Sequence, residues 1–151
     1  IKREKISLEG RIRDVLKYTK KPFVASHSNA RHLCSHPRTL NDELLKAIGE
    51  RGGVIGLNYY AYFLRDWKEG EQVVSKAEDI VAHAKYIRDV AGIEALGLGS
   101  DFDGMDGELE IGSPEDLPKL EDVFKKNGFT ESEIEKIFCK NVLRVYKELL
   151  V

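Results

Sequence analysis

Apolar positions along the chain switch repeatedly between helical spacing and short continuous runs. From Glu9 to Lys21, Ile12, Val15 and Leu16 share one helical face, and Pro22 stops the pattern. Phe23 to Ala25 is an apolar run of the kind a buried strand makes, and it gives out at His27. Helical spacing returns over Glu43 to Arg51, with the polar segment Thr39-Leu-Asn-Asp before it as a cap and Gly52-Gly53 after it as a stop. Val54-Ile-Gly-Leu-Asn58-Tyr reads as the next strand. Residues 60–74 form a long connection, aromatic at Tyr60, Tyr62 and Phe63 and charged beyond. Ser75 to Ala91 is an amphipathic helix with Ile80, Val81, Ala84, Ile87 and Val90 inward, ended by Gly92. A strand over Ala95 to Gly99 follows, then a loop from Asp101 to Ser113. Two more helices close the pattern, Pro114 to Asn127 and Thr130 to Leu150, the second opening on the capping box Thr130-Glu-Ser-Glu133.

Helix, three strand–helix repeats and an extra terminal helix predict an α/β fold with a parallel sheet. Three parallel strands are too few to stand alone, because such sheets are covered on both faces and are closed or wide. A complete (β/α)8 barrel takes about 250 residues, and the chain has 151. Residues 1–151 are therefore expected to be one unit, the C-terminal half of a TIM-type (β/α)8 barrel without its first strands. Its open sheet edges invite a homo-oligomer.

Composition narrows this only modestly. Hydrophobic content of 42%, charged content of 33% and a net charge of -2 describe an ordinary globular chain, with no global attraction for nucleic acid or an anionic membrane. The basic first 21 residues read as a solvated helical face rather than a binding patch. Cys34 and Cys139 form no C-x-x-C pair and are expected to be free thiols, as in a reducing cytoplasm. No apolar run reaches the roughly 18 residues of a membrane span, and no signal peptide is recognisable at the start.

Chemistry gathers where strands end. In parallel α/β folds the carboxyl ends of strands floor the active site. One strand ends in Ala25-Ser-His27-Ser and another in Gly97-Leu-Gly-Ser-Asp101-Phe-Asp103-Gly104. An imidazole at such a place can ligate zinc or be a satisfied structural group. Asp101 is the stronger candidate, with Gly97, Gly99 and Gly104 expected to let the backbone approach a ligand. Asp101, Asp103 and Asp106 do not make a calcium loop, since Met105 and Gly112 stand where ligands are needed. The dinucleotide fingerprint is broken at Phe102. His32, His36 and His83 read as solvated or structural. Arg38, in His36-Pro-Arg38, could hold a substrate carboxylate through paired hydrogen bonds or form a salt bridge at the start of the following helix.

The segments Ser26-His-Ser-Asn-Ala-Arg31, His36-Pro-Arg38, Arg51-Gly-Gly-Val-Ile-Gly-Leu-Asn58, Gly97-Leu-Gly-Ser-Asp-Phe-Asp-Gly104 and Asn141-Val-Leu-Arg-Val-Tyr146 closely resemble the membrane (renal) dipeptidase family of metallopeptidases. The resemblance runs collinearly from about Asp14 to Leu149. It implies a (β/α)8 barrel that hydrolyses dipeptides with two zinc ions. His27 then matches a zinc ligand, Arg38 the group holding the substrate's terminal carboxylate, and Asp101 the carboxylate that helps protonate the leaving amine. A hydroxide bridging the metals is implied as the nucleophile. The resemblance also implies a His-x-Asp pair and a bridging Glu on earlier strands, which no part of this chain matches. It implies a further histidine 21 residues before His27, where Ile6 stands. Two functions are thus expected to compete: part of a zinc dipeptidase, or a non-catalytic half-barrel remnant acting as an interaction module.

Overall fold

The structure, a computed structural model, describes residues 7–150. Ile6, where the resemblance implies a histidine, lies outside the described residues.

Helix α1 (Leu8–Tyr18) begins where the Ser7 hydroxyl accepts from the Gly10 N–H at 3.1 Å, satisfying one of the free donors of its first turn. It stops three residues short of the predicted Lys21, because Thr19 turns extended and Arg51 donates to the carbonyls of Leu16 and Thr19. Of its expected inner face only Ile12 is fully buried, while Val15 is exposed. Strand β1 (Val24–Ala25) follows. Helix α2 (Asp42–Glu50) is capped by Asn41, whose side-chain oxygen accepts from the Leu44 N–H at 3.0 Å. Strand β2 is Val54–Asn58. Helix α3 (Ala77–Ala91) starts two residues later than its apolar pattern, since Ser75 is bridged to the 108–110 segment: its N–H donates to Glu108 and its carbonyl accepts from Glu110, each at 2.9 Å. Gly92, at φ 92°, ends it in a conformation glycine alone adopts readily.

Strand β3 (Leu96–Ser100) completes a three-stranded sheet ordered β1-β2-β3, every pairing parallel. Strand order equal to chain order, with helices between, is the arrangement of a barrel wall. Helices α1, α2, α3 and α4 (Leu117–Lys126) each pack on the next, forming one outer layer. All five residues of β2 are buried, as a strand covered on both faces must be. Its Ile55 and Leu57 join Leu44, Ile48, Ile80, Ile87, Leu96 and Phe124 in the core.

The predicted helix from Thr130 is divided. Its capping box forms as read, and α5 (Glu131–Glu135) gives way to a widened π turn at Lys136–Lys140 before α6 (Asn141–Leu149). Beyond that turn the buried Asn141 amide donates to the carbonyls of Ile93 and Leu96, each at 2.8 Å, and Arg144 donates to Gly52 and Glu94. The chain's last helix is thereby bolted to the amino ends of β2 and β3, opposite the ends where polar groups gather.

The glycines of β3 serve the sheet rather than a ligand, against expectation. A side chain at Gly97 would meet Val54 and Val142, and one at Gly99 would collide with the carbonyl of Ser26 and the backbone of Gly56. The same carbonyl faces Gly56. The bare backbones let three strands close together just beneath His27.

Candidate functional site

The carboxyl ends of the three strands deliver three polar residues in turn: His27 after β1, Asn58 closing β2 and Asp101 after β3. Two of the residues singled out from sequence meet directly. Arg38, returning in the loop after β1, places Nη2 3.3 Å from His27 Nε2. Guanidinium only donates, so Nε2 accepts and Nδ1 donates to the Ser26 hydroxyl, 2.8 Å away. The Nε2 lone pair, the one a metal would take from this tautomer, is held by Arg38. Among the described residues Arg38 forms no ion pair, which disposes of the helix-start salt bridge. Its guanidinium instead lies over the Phe63 ring, 5.6 Å from the centroid.

Asp101 is set apart from that pair, two strands over. Ser100 and Asp101 both take positive φ, 31° and 78°, a conformation that costs side-chain-bearing residues energy and concentrates at functional sites. Gly104 makes the turn possible, since a side chain there would come within 2.6 Å of the Asp101 carboxylate. The Asn58 amide donates to Asp101 Oδ2 at 3.1 Å and its oxygen accepts from the Tyr60 N–H at 2.7 Å. Buried Asn29 braces Asn58 in turn, donating to the carbonyls of Asn58 (2.9 Å) and Phe63 (3.0 Å) and accepting from the Asn58 N–H (3.1 Å). An amide relay thus connects the loop bearing His27 to the carboxylate after β3. Sequence reading passed over it, although Asn58 ends an apolar strand just as His27 and Asp101 do.

His83 was expected to be structural or solvated, and it is structural. It is fully buried in α3, where Nδ1 accepts from the Ala30 N–H at 3.1 Å and Nε2 donates to the Leu64 carbonyl at 2.8 Å. Burial lowers its pKa from 6.5 to about 4, so the ring is neutral near pH 7. It ties the loop after β1 to the loop after β2, and so fixes the two segments that frame Arg38. His36 stacks tilted on Phe63, and burial together with the nearby Arg38 charge lowers its pKa. His32 stacks on Tyr86 and has no part in the site. Both cysteines are free thiols, Cys34 buried and Cys139 exposed.

No three His, Cys, Asp or Glu residues among those described are grouped so as to hold a metal ion. What the arrangement can do is hold an anion at Arg38 and present a strained, amide-braced carboxylate at Asp101. No helix among the described residues is long and apolar enough to cross a membrane.

The chain is similar to known proteins over most of its length. The model of the membrane dipeptidase family (peptidase family M19) matches residues 7–150. An uncharacterised Klebsiella pneumoniae protein from the pqqA 5' region is 36% identical over 137 residues, 90% of this chain and 50% of that one. Dipeptidase ataJ of Aspergillus terreus is 36% identical over 146 residues, covering 91% of this chain and 33% of its own length. Among solved structures, a metallopeptidase from Rhodobacter sphaeroides bound to a phosphinate mimic of the dipeptide L-Ala-D-Ala superposes with a TM-score of 0.80 at 31% identity, over 92% of this chain and 39% of that one. A second, described as dipeptidase AC of family M19, gives 0.83 at 30% identity and is covered to 40%. The chain spans a third to a half of the length of these curated relatives.

Proposed function

This chain belongs to the membrane dipeptidase family, and from that premise we propose that it forms part of a zinc-dependent dipeptidase barrel, residues 1–151 supplying the substrate-holding and proton-handling side of the site. The observation that carries this is the set of strand ends: an anion-binding Arg38 beside His27, and Asp101 braced by Asn58 on the same rim.

Arg38 holds the terminal carboxylate of the dipeptide. Its guanidinium offers a planar fork suited to paired hydrogen bonds, it carries no competing carboxylate among the described residues, and Phe63 supports it from one face. Asp101 receives the proton released by the attacking water and passes it to the amine nitrogen as the C–N bond breaks. Asn58 restricts that carboxylate to one orientation by holding Oδ2, leaving Oδ1 for the proton. In the complete enzyme His27 would be a metal ligand, its Nε2 freed as Arg38 turns to the substrate carboxylate; imidazole suits zinc.

The described residues do not fit a two-zinc centre. His27 stands alone, and its Nε2 is engaged by Arg38. The described residues by themselves therefore support no metal-borne step, and in the enzyme further ligands would join His27 from outside them. The free edges of β1 and β3 are proposed to pair with further strands, in a second copy where none other is available.

The test is kinetic, on the metal-replete dipeptidase carrying these strands. Arg38→Met is expected to raise KM at least tenfold, and Asp101→Asn to lower kcat by about 10²–10⁴ with little change in KM. Unchanged dipeptide hydrolysis in both variants rejects the reading.

A further inference from the structure

Phe63 carries Arg38 on its ring, and it also forms a wall of a separate cavity of about 610 Å³ that the roles above leave unused. The cavity is open to solvent; the connection after β2 lines it with Tyr60, Tyr62, Phe63, Trp67, Glu71 and Gln72, and His36 reaches it from the loop after β1. The aromatic rings form a continuous chain: Phe63 to Tyr60 at 5.0 Å, Tyr60 to Tyr62 at 5.2 Å, and Tyr62 to Trp67 at 4.9 Å between centroids. His36 adds a further ring, 4.5 Å from Phe63, and its imidazole nitrogen Nδ1 accepts from the Arg38 N–H at 3.1 Å. Phe63 thus touches both the cavity and the Arg38 guanidinium, and His36 joins the cavity to the Arg38 backbone.

The charge around the cavity is already spent. Glu71 pairs with Arg65 at 2.9 Å and accepts from the Lys68 N–H at 3.1 Å. The burial of His36 and its nearness to Arg38 favour the neutral ring. A cationic side chain would find its one carboxylate already paired, and an anionic one would meet only neutral donors, the tyrosine hydroxyls, the Trp67 indole N–H and the Gln72 amide, with no Lys or Arg in the lining. Four aromatic faces favour a flat or bulky apolar group.

We propose that this aromatic cavity receives the side chain of the dipeptide's C-terminal residue, selecting uncharged apolar and aromatic side chains while Arg38 holds the carboxylate of that same residue. The inference rests on the assignment of Arg38 as the carboxylate clamp and adds to it the substrate class. Tyr62 and Trp67 become specificity residues, with no part in the proton chemistry at Asp101.

Trp67 is the only tryptophan of the chain, so its indole N–H is a single, unambiguous NMR reporter of the cavity. The backbone amides of His27 and Arg38 report the clamp. The full 151-residue chain would be titrated with Gly-Phe, Gly-Glu and Gly-Gly, as the native protein and as Tyr62→Ala and Arg38→Met. Gly-Gly and Gly-Glu are expected to move the clamp signals alone. Gly-Phe is expected to move the clamp and Trp67 signals together, at least tenfold more tightly than Gly-Gly. Tyr62→Ala should remove that advantage and leave Gly-Gly binding unchanged, whereas Arg38→Met should weaken all three. Preserved amide dispersion establishes that each variant is folded. Gly-Phe moving the clamp without Trp67, or keeping its advantage in Tyr62→Ala, overturns the cavity assignment and leaves the dipeptide reading standing. Movement of Trp67 without the clamp also overturns it, by separating the cavity from the carboxylate. No response to any dipeptide at either reporter overturns both.

Discussion

At the scale of single residues, the polar groups of this chain divide into those that face the site and those that hold its loops. His83 belongs to the second kind. The sequence offered no way to rank it above His32 or His36, because an isolated histidine in an amphipathic helix carries no mark of what it bonds. Its pKa is depressed by burial from 6.5 to about 4. As pH falls, the unfolded chain binds the proton first, so the stabilisation is full above pH 6.5 and is lost as pH drops through 4. The gap amounts to about 3 kcal/mol. Native protein should therefore lose stability between pH 7 and pH 4.5 more steeply than His83→Asn, which should be less stable at pH 7. Urea midpoints at the two pH values decide this, and equal slopes would remove His83 from the account. Tyr59 shows the opposite economy: it is fully buried, its hydroxyl has no hydrogen-bond partner among the described residues, and burial pushes its ionisation well above the ordinary range.

At the scale of elements, most boundaries were legible because local chemistry writes them. Asn41 caps α2, the Thr130 box opens α5 and Gly92 closes α3, each as read from the chain. The exceptions have tertiary causes. Arg51 ends α1 early, Ser75 is diverted into a bridge before α3, and the last helix widens before the buried bonds of Asn141. The glycines of the third strand were legible as special but not in their purpose. Gly99 faces the carbonyl of Ser26, the residue before His27, with no room for a methyl group. Gly99→Ala should cost about 1–3 kcal/mol as β1 and β3 are pushed apart, read from thermal or urea unfolding. A stability unchanged within about 0.5 kcal/mol would show that the strands are not closely packed there.

At the scale of the whole molecule, three parallel strands in chain order, one outer layer of helices and a terminal helix bolted to the amino ends make part of a (β/α)8-type barrel. Its sheet has no partner strand beyond β1 or β3 among the described residues, and Val24 on β1 is exposed. Open parallel edges attract strands. Sedimentation equilibrium of the 151-residue chain is expected to show reversible self-association that weakens in Val24→Lys. A monomer throughout the soluble range would show that these edges are protected in some other way.

The sequence by itself determined the alternation of strand and helix, the helix caps, the two acid- and imidazole-bearing strand ends and the family. Each of these is written in neighbouring residues, either as periodicity or as short motifs. Only the tertiary structure decided that Arg38 lies on His27 and Phe63, that Asn29 and Asn58 brace Asp101, and that five rings line an open cavity beside Arg38. Those contacts join residues on different strands and loops. Their partners are chosen by how closely the backbones pack, which a linear pattern does not record.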